Sequence, residues 1–415
     1  MQRFMKVIFI SMFIMHLSCL GKVFADEIAP RVSISGFGTF GFVTTDSDRL
    51  AFTRDRTQTQ GASASGGITN DSRLGLQLDV DLTNAIHLTT QFVARDHAGD
   101  FLEQNLEWAF LRWTPQQDLD LRFGRMGADL FALSDYRNVG YAYTWVRPPH
   151  EFYANVPMYH YDGLDITKKF HLGEDLLSIK VAGAYTYNEV PLEDNLRVNL
   201  GAPATGVNMV YESGNWRARF SYSFLHLVTD YTSPAIEQLR DPLANIIFPD
   251  VQKFIPYYSP KNTDINFFSL GAAFDDGTWL MQAETSYTHS KYKLFADTAS
   301  GYLSLGRRFD KLTLYALYGI AYSFDQHANV PKPIVDLPEL DALYQTIDRS
   351  LNSNGVHEQS ISIGLRWDVL PKVALKTEWS HYWFGNNGTR LWLRDTSGDW
   401  PEQINLWSLS MDFIF

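Results

Sequence analysis

From Arg73 onward the chain alternates hydrophobic and polar residues in stretch after stretch. In SRLGLQLDVDL, Leu74, Leu76, Leu78, Val80 and Leu82 fall on one side, and Arg73, Gln77, Asp79 and Asp81 on the other. NWRARFSYSF sets Trp216, Ala218, Phe220, Tyr222 and Phe224 against Arg217, Arg219, Ser221 and Ser223. The chain ends in the same manner on NLWSLSMDFIF, with Trp407, Leu409, Met411, Phe413 and Phe415 at every second position. A period of two means a β-strand with one apolar and one polar face.

Sixteen such segments follow from the pattern: 32–43, 72–82, 85–94, 104–114, 118–126, 159–170, 176–187, 203–212, 215–227, 262–275, 278–290, 298–309, 312–323, 358–369, 373–385 and 404–415. Their typical length is close to the roughly 9–11 residues that a tilted strand needs to cross a bilayer. One of them, 104–114, leaves its orientation open. Leu106, Trp108 and Phe110 would serve as its apolar face, and so would Ala109, Leu111 and Trp113.

The connections alternate as well. Short links such as TN, TPQQ, ESG, DDG, FDK and LPK are separated by long ones at 44–71, 127–158, 188–202, 228–261, 324–357 and 386–403. Short turns on one rim and long loops on the other are the pattern of an outer-membrane β-barrel. Trp113, Tyr211, Trp216, Trp279, Phe309, Trp367 and Phe415 all sit at strand ends on the short-turn side, where an aromatic ring meets both lipid and water. The expected fold is all-β: a 16-stranded antiparallel transmembrane barrel. An open edge in lipid would leave backbone groups unpaired, so the last strand has to close on the first, VSISGFGTFGFV.

Composition sharpens this picture. The mature region holds no apolar run of about 18 residues, so no helix is expected to span a membrane. A net charge of −12 argues against nucleic acid as a partner. The N-terminus, MQRFMK followed by VIFISMFIMHLSCL and Val23-Phe24-Ala25, reads as a signal peptide over 1–25 with cleavage after Ala25. Residues 26–415 then form the barrel domain, with a charge of −15 once Arg3, Lys6 and Lys22 are removed. The one cysteine, Cys19, lies in the leader, behind a poor lipobox (His16-Leu17-Ser18). No disulfide or thiolate metal site is therefore expected in the exported chain.

With SGFGTFG at the start, sixteen strands, the run FGR…LSDY…VGYAY…VRPPHEFY after the fifth strand, and a terminal phenylalanine, the sequence resembles the general porins of the Gram-negative outer membrane. The resemblance spans the mature chain and carries no solute preference. It implies passive passage of ions and small hydrophilic solutes, a homotrimer, and surroundings of outer-membrane lipid and lipopolysaccharide. Phe413 and Phe415 resemble the signal read by the barrel-assembly machinery. The resemblance also implies that the loop after the fifth strand, 127–158, the third on the rim opposite the short turns, folds into the lumen, which makes Asp129, Asp135, Arg137, Arg147 and Glu151 the constriction-loop candidates. A turn-capping role for Asp135 stands beside solute contact. Tyr141, Tyr143, Trp145 and Tyr153 are expected to pack the loop to the wall rather than to form a sugar slide.

By alternation the inner face carries Arg73, Arg95, Arg122, Lys169, Lys180, Arg217, Arg219, Arg366 and Lys376, with Asp79, Asp81, Asp120, Asp165, Glu284, Asp368 and Glu378. Nine bases and seven acids on one face point to a water-filled interior. Each of them either lines the path or pairs with a neighbour across the strands.

Catalytic readings are weak. His289 and Ser290 are adjacent and so face opposite ways, and the histidines show no HExxH-type spacing. Asp395, Asp399 and Glu402 could hold a calcium ion but read rather as a solvated acidic loop, and no cofactor or metal is expected. Two further readings stay open: a substrate-specific channel for a sugar or organic anion, and a non-conducting adhesin or loop-display protein. Ion preference is also open. The long loops other than 127–158 hold 19 acids against 11 bases and favour cations, whereas Arg122, Arg217, Arg219 and Arg366 would favour anions.

Overall fold

The computed structural model describes residues 30–415, apart from 157, 192–196, 230–260, 291–295, 325–331, 333–336, 343, 346–354, 390 and 395–399. The leader expected over 1–25 and the acids Asp395 and Asp399 lie outside the described residues.

Sixteen antiparallel strands form one closed barrel. They are β1 (Arg31–Thr45), β2 (Arg73–Asp81), β3 (Ile86–Arg95), β4 (Leu106–Gln116), β5 (Leu119–Gly127), β6 (His160–Leu172), β7 (Asp175–Pro191) and β8 (Arg197–Ser213). The chain continues with β9 (Trp216–Leu227), β10 (Thr263–Asp275), β11 (Trp279–Ser290), β12 (Thr298–Phe309), β13 (Leu312–Ser323), β14 (Val356–Leu370), β15 (Val373–Thr389) and β16 (Gln403–Ile414). Each strand pairs with its neighbours in sequence, and β1 also pairs with β16, from Phe37 opposite Ile414 to Thr45 opposite Leu406. The short turns reverse the chain through left-handed positions, among them Gly173 (φ 71°) and Gly214 (φ 54°), where a missing Cβ removes the steric cost.

The apolar faces point outward, as the alternation requires. Leu74, Leu76, Phe123, Leu270, Leu303, Ile363 and Leu409 are exposed, while their polar neighbours turn inward. Burial along β13 alternates residue by residue over its whole length. The rim aromatics Trp113, Trp216, Trp279, Phe309, Trp367 and Phe415 are all exposed.

β4 shows why the pattern left its orientation open. The β3–β4 register shifts between Gln91 and Phe92, and Glu107, buried at that point, pairs with Arg95 at 2.9 Å. Leu111 and Trp113 face outward, whereas Trp108 and Phe110 pack on the interior cluster. Both faces of this strand are apolar because both meet apolar surroundings.

The seam between β1 and β16 has its own packing. Gly36 and Phe415 exchange two backbone hydrogen bonds, at 3.1 and 2.9 Å. The Phe415 ring lies over Gly36 and the Phe413 ring over Gly38, so that a Cβ at either glycine would collide with the ring. Phe40, Phe413 and Phe415 form a stacked row with centroids 6.0 and 6.4 Å apart. An aromatic laid over a strand glycine restores the side-chain contact that the glycine lacks. Deleting Phe415 removes both backbone bonds and one of these rings. The expected outcome is loss of the heat-modifiable barrel from the outer membrane. Wild-type abundance of that species, measured by gel shift with and without heating, would contradict it.

Candidate functional site

The segment 128–159 between β5 and β6 is bonded to inward-facing side chains on most of the barrel's circumference. Its first part meets β7 to β11. Lys180 donates to Asp129 at 2.6 Å, and Arg219 reaches the same carboxylate. Ser269 donates to the Leu130 carbonyl at 2.8 Å, and the Ala132 amide donates to Glu284 at 2.8 Å. Glu284 also accepts from Tyr153 at 2.5 Å and Tyr302 at 2.6 Å.

The second part meets β1 and β2 and the strands from β12 to β16. Lys376 donates to the carbonyls of Gly140, Tyr143 and Trp145 at 2.7, 2.8 and 2.7 Å, and pairs with Asp412 at 3.0 Å. Arg366 donates to the carbonyls of Tyr141 and Tyr143, both at 2.9 Å, and holds Asp368 at 2.8 Å. Arg73 donates to the Asn138 carbonyl at 2.5 Å and the Tyr143 hydroxyl at 2.6 Å. Trp145 donates to Ser304 at 2.8 Å. A segment tied at once to β7–β11 and to β1 and β14–β16 crosses the lumen.

One short helix, α1 (Phe101–Asn105), precedes β4; another, α2 (His150–Tyr153), follows Pro148-Pro149 and packs on β11 to β13. Its aromatics join a cluster with Phe131, Phe267 and Tyr302, all of them buried. Above it, the loop after β1 folds inward. Leu50–Ala51 pairs with Leu393–Arg394 of the last long loop, and Phe52 packs on both Trp392 and His150. Arg147 is held in this layer by Asp71 and Ser408, each at 2.6 Å.

A cavity of about 360 Å³ lies between this crossing segment and the wall from β10 to β14. Tyr136, Tyr141 and Trp145 line it on one side, and Gln282, Arg308, Thr313 and Asp368 on the other.

No protein-family model and no curated protein matches the sequence. Solved structures do match the fold. OmpT, an outer membrane protein of Vibrio cholerae, aligns with TM-score 0.51 at 10% identity, over 94% of this chain and 99% of its own. An anion-selective porin from Comamonas acidovorans aligns with TM-score 0.51 at 12% identity, over 93% and 100%. The outer membrane channel DcaP of Acinetobacter baumannii aligns with TM-score 0.51 at 14% identity, over 94% and 99%. The chain has the fold of an outer-membrane porin. At these identities the likeness is one of fold.

Within the porin fold the sequence-derived residues separate into two groups. Arg122, Lys180, Arg219, Glu284, Arg366, Lys376 and Glu378 all face inward, and each has a partner. Arg122 grips Asp165 through two nitrogens, with the closest approach 2.7 Å, and Tyr315 donates to Glu378 at 2.8 Å. Arg217 is the looser one, half-exposed and 3.6 Å from Glu212.

Of the loop candidates, Asp129, Arg137, Arg147 and Glu151 are turned into packing, and Asp135 is exposed. Arg137 donates to the Met158 carbonyl at 2.6 Å and stacks on Tyr159, whose ring is also approached by Arg95. The local turn is capped by Ser134, whose hydroxyl accepts from the amides of Leu130 and Phe131 at 3.0 and 2.8 Å. Burial alone would raise the Asp129 carboxyl, but the charges of Lys180 and Arg219 outweigh it and hold it well below the usual range.

Phe52, Asp71, Glu358 and Trp392, which hold the crossing segment from above, carried no signal in the sequence. Their partners are distant in the chain and their local patterns are ordinary.

Lys376 is the most heavily committed of the anchors. It is buried, with three carbonyls and Asp412 around it. Lys376→Met leaves Asp412 as an uncompensated buried charge and is expected to cost about 3–5 kcal/mol of stability. Adding Asp412→Asn should recover part of that loss. Chemical unfolding of the refolded barrel, followed by tryptophan fluorescence, measures both.

Proposed function

We propose that the protein is a passive channel of the bacterial outer membrane, passing ions and small hydrophilic solutes without turnover. The observation that carries this reading is a closed barrel, apolar outside and polar inside, with residues 128–159 across its lumen and a cavity of about 360 Å³ beside them. The crossing segment sets the bore. Asp135, Tyr136 and Tyr141 on the segment, with Arg217 on the wall, are the groups that a passing solute meets. The chain reaches the membrane as an exported precursor cleaved after Ala25. It is inserted by the barrel-assembly machinery through its last strand, and it works as a homotrimer amid lipopolysaccharide.

Selectivity follows from what has been neutralised. Arg122, Arg219, Arg366 and Lys376 are paired with Asp165, Asp129, Asp368 and Asp412, so these bases present little net positive field to the path. The net charge of the chain then decides, and the pore prefers cations mildly. The field is felt over about 8–10 Å at physiological salt, so the preference fades as salt rises.

Two measurements on the refolded protein test this. Excising most of 129–150 should raise single-channel conductance and admit larger sugars in liposome swelling; unchanged conductance from a folded variant would move the constriction elsewhere. Reversal potentials in a KCl gradient should show cation preference at low salt. Anion preference there would assign the filter to Arg217 and its neighbours.

A further inference from the structure

Glu151 stands apart from every other charged group of the crossing segment. It is fully buried on α2, and neither of its carboxyl oxygens has a hydrogen-bond partner among the described residues. It presses on the inner wall at Gly319 of β13, where a Cβ would collide with the carboxyl group. Groups that act on its charge come from the neighbouring elements. β14 supplies Glu358 and Ser360, β15 supplies Tyr382, and α2 itself supplies His150.

The one basic group among them, His150, is committed through Nδ1 to Glu358 at 2.8 Å rather than to Glu151, and Trp392 donates to the other Glu358 oxygen at 2.7 Å. Arg147 is held by Asp71 and Ser408. Glu358 therefore has two donors and is the oxygen pair suited to a charge. Glu151 has none, beside a carboxylate, in a site without solvent access. An ionised carboxylate left in such a place bears its whole desolvation cost.

We infer that Glu151 docks as the neutral acid, and that this one proton latches the constriction segment to the barrel wall. The inference rests on the reading of 128–159 as the constriction. Burial first, and then the charge of Glu358, push the Glu151 carboxyl up to about 7. The docked segment thus holds its proton more tightly than a released one, in which the carboxyl has its ordinary acidity. The latch is intact in acid. It weakens as pH climbs past the ordinary carboxylate range and is fully weakened above about 7. Alkaline medium loosens the segment, and acid medium holds it.

Single-channel recording of the refolded full chain between about pH 5 and about pH 9 tests the latch. In the wild type, time spent in larger-conductance substates should rise by on the order of 100-fold across that range. Glu151→Gln, which keeps the shape and cannot ionise, should give a flat profile at the acid level. Glu358→Gln leaves Glu151 in place and should move the transition to lower pH. A flat wild-type profile, or a Glu151→Gln profile that follows the wild type, overturns the inference. Infrared spectroscopy reads the proton without current. Near pH 5 the wild type should show a buried protonated-carboxyl band that Glu151→Gln lacks, and its absence from a conducting wild type also overturns the inference. That band in a barrel that carries no current would keep the proton and reject the channel.

Discussion

In hydrocarbon a backbone N–H or C=O without a partner costs several kcal/mol, so a sheet that crosses a bilayer has to close on itself. This constraint governs the rest of the molecule. It makes β1 and β16 neighbours although they lie at opposite ends of the chain. It places Phe415 on Gly36, and it leaves the start of β1 and the end of β16 on the rim of short turns. Once the sheet closes, every second side chain is enclosed. The interior then has to accommodate a large set of charged groups.

The crossing segment answers that requirement. Its backbone carbonyls take the bonds of Lys376, Arg366 and Arg73, and its Asp129 takes Lys180 and Arg219. Buried charges survive when they are paired and hydrogen-bonded, and here one loop supplies acceptors to five of the bases on the wall. The same bonds fix the loop. Position and neutralisation are two results of one set of contacts, which is why the path is left with few uncompensated bases.

The strands were legible in the sequence because a period of two is a local property and the lipid imposes it on every strand. Leu74 and Leu76 declare their face without knowledge of any partner. β4 was not legible, because Phe110 meets the interior cluster while Leu111 meets lipid, and alternation carries no information where both faces are apolar. The inner charges were legible as inward-facing, but not as paired or free. Lys376 and Gly140 are 236 residues apart, and nothing near either announces the other. Within the crossing segment, Asp135 and Glu151 are both acids in an irregular stretch. One is exposed and the other fully buried, and only the fold separates them.

On the proposed function, residues 128–159 lie in the path of the solute. The one cysteine of the chain is Cys19, so once it is replaced by serine a cysteine placed further along reports on its own position. The most direct measurement is the conductance of Asp135→Cys during exposure to a bulky charged thiol reagent, with Ile363→Cys on the outer face as the control. The account predicts stepwise loss of current for the first and none for the second. Full labelling of Asp135→Cys with unchanged current would contradict it.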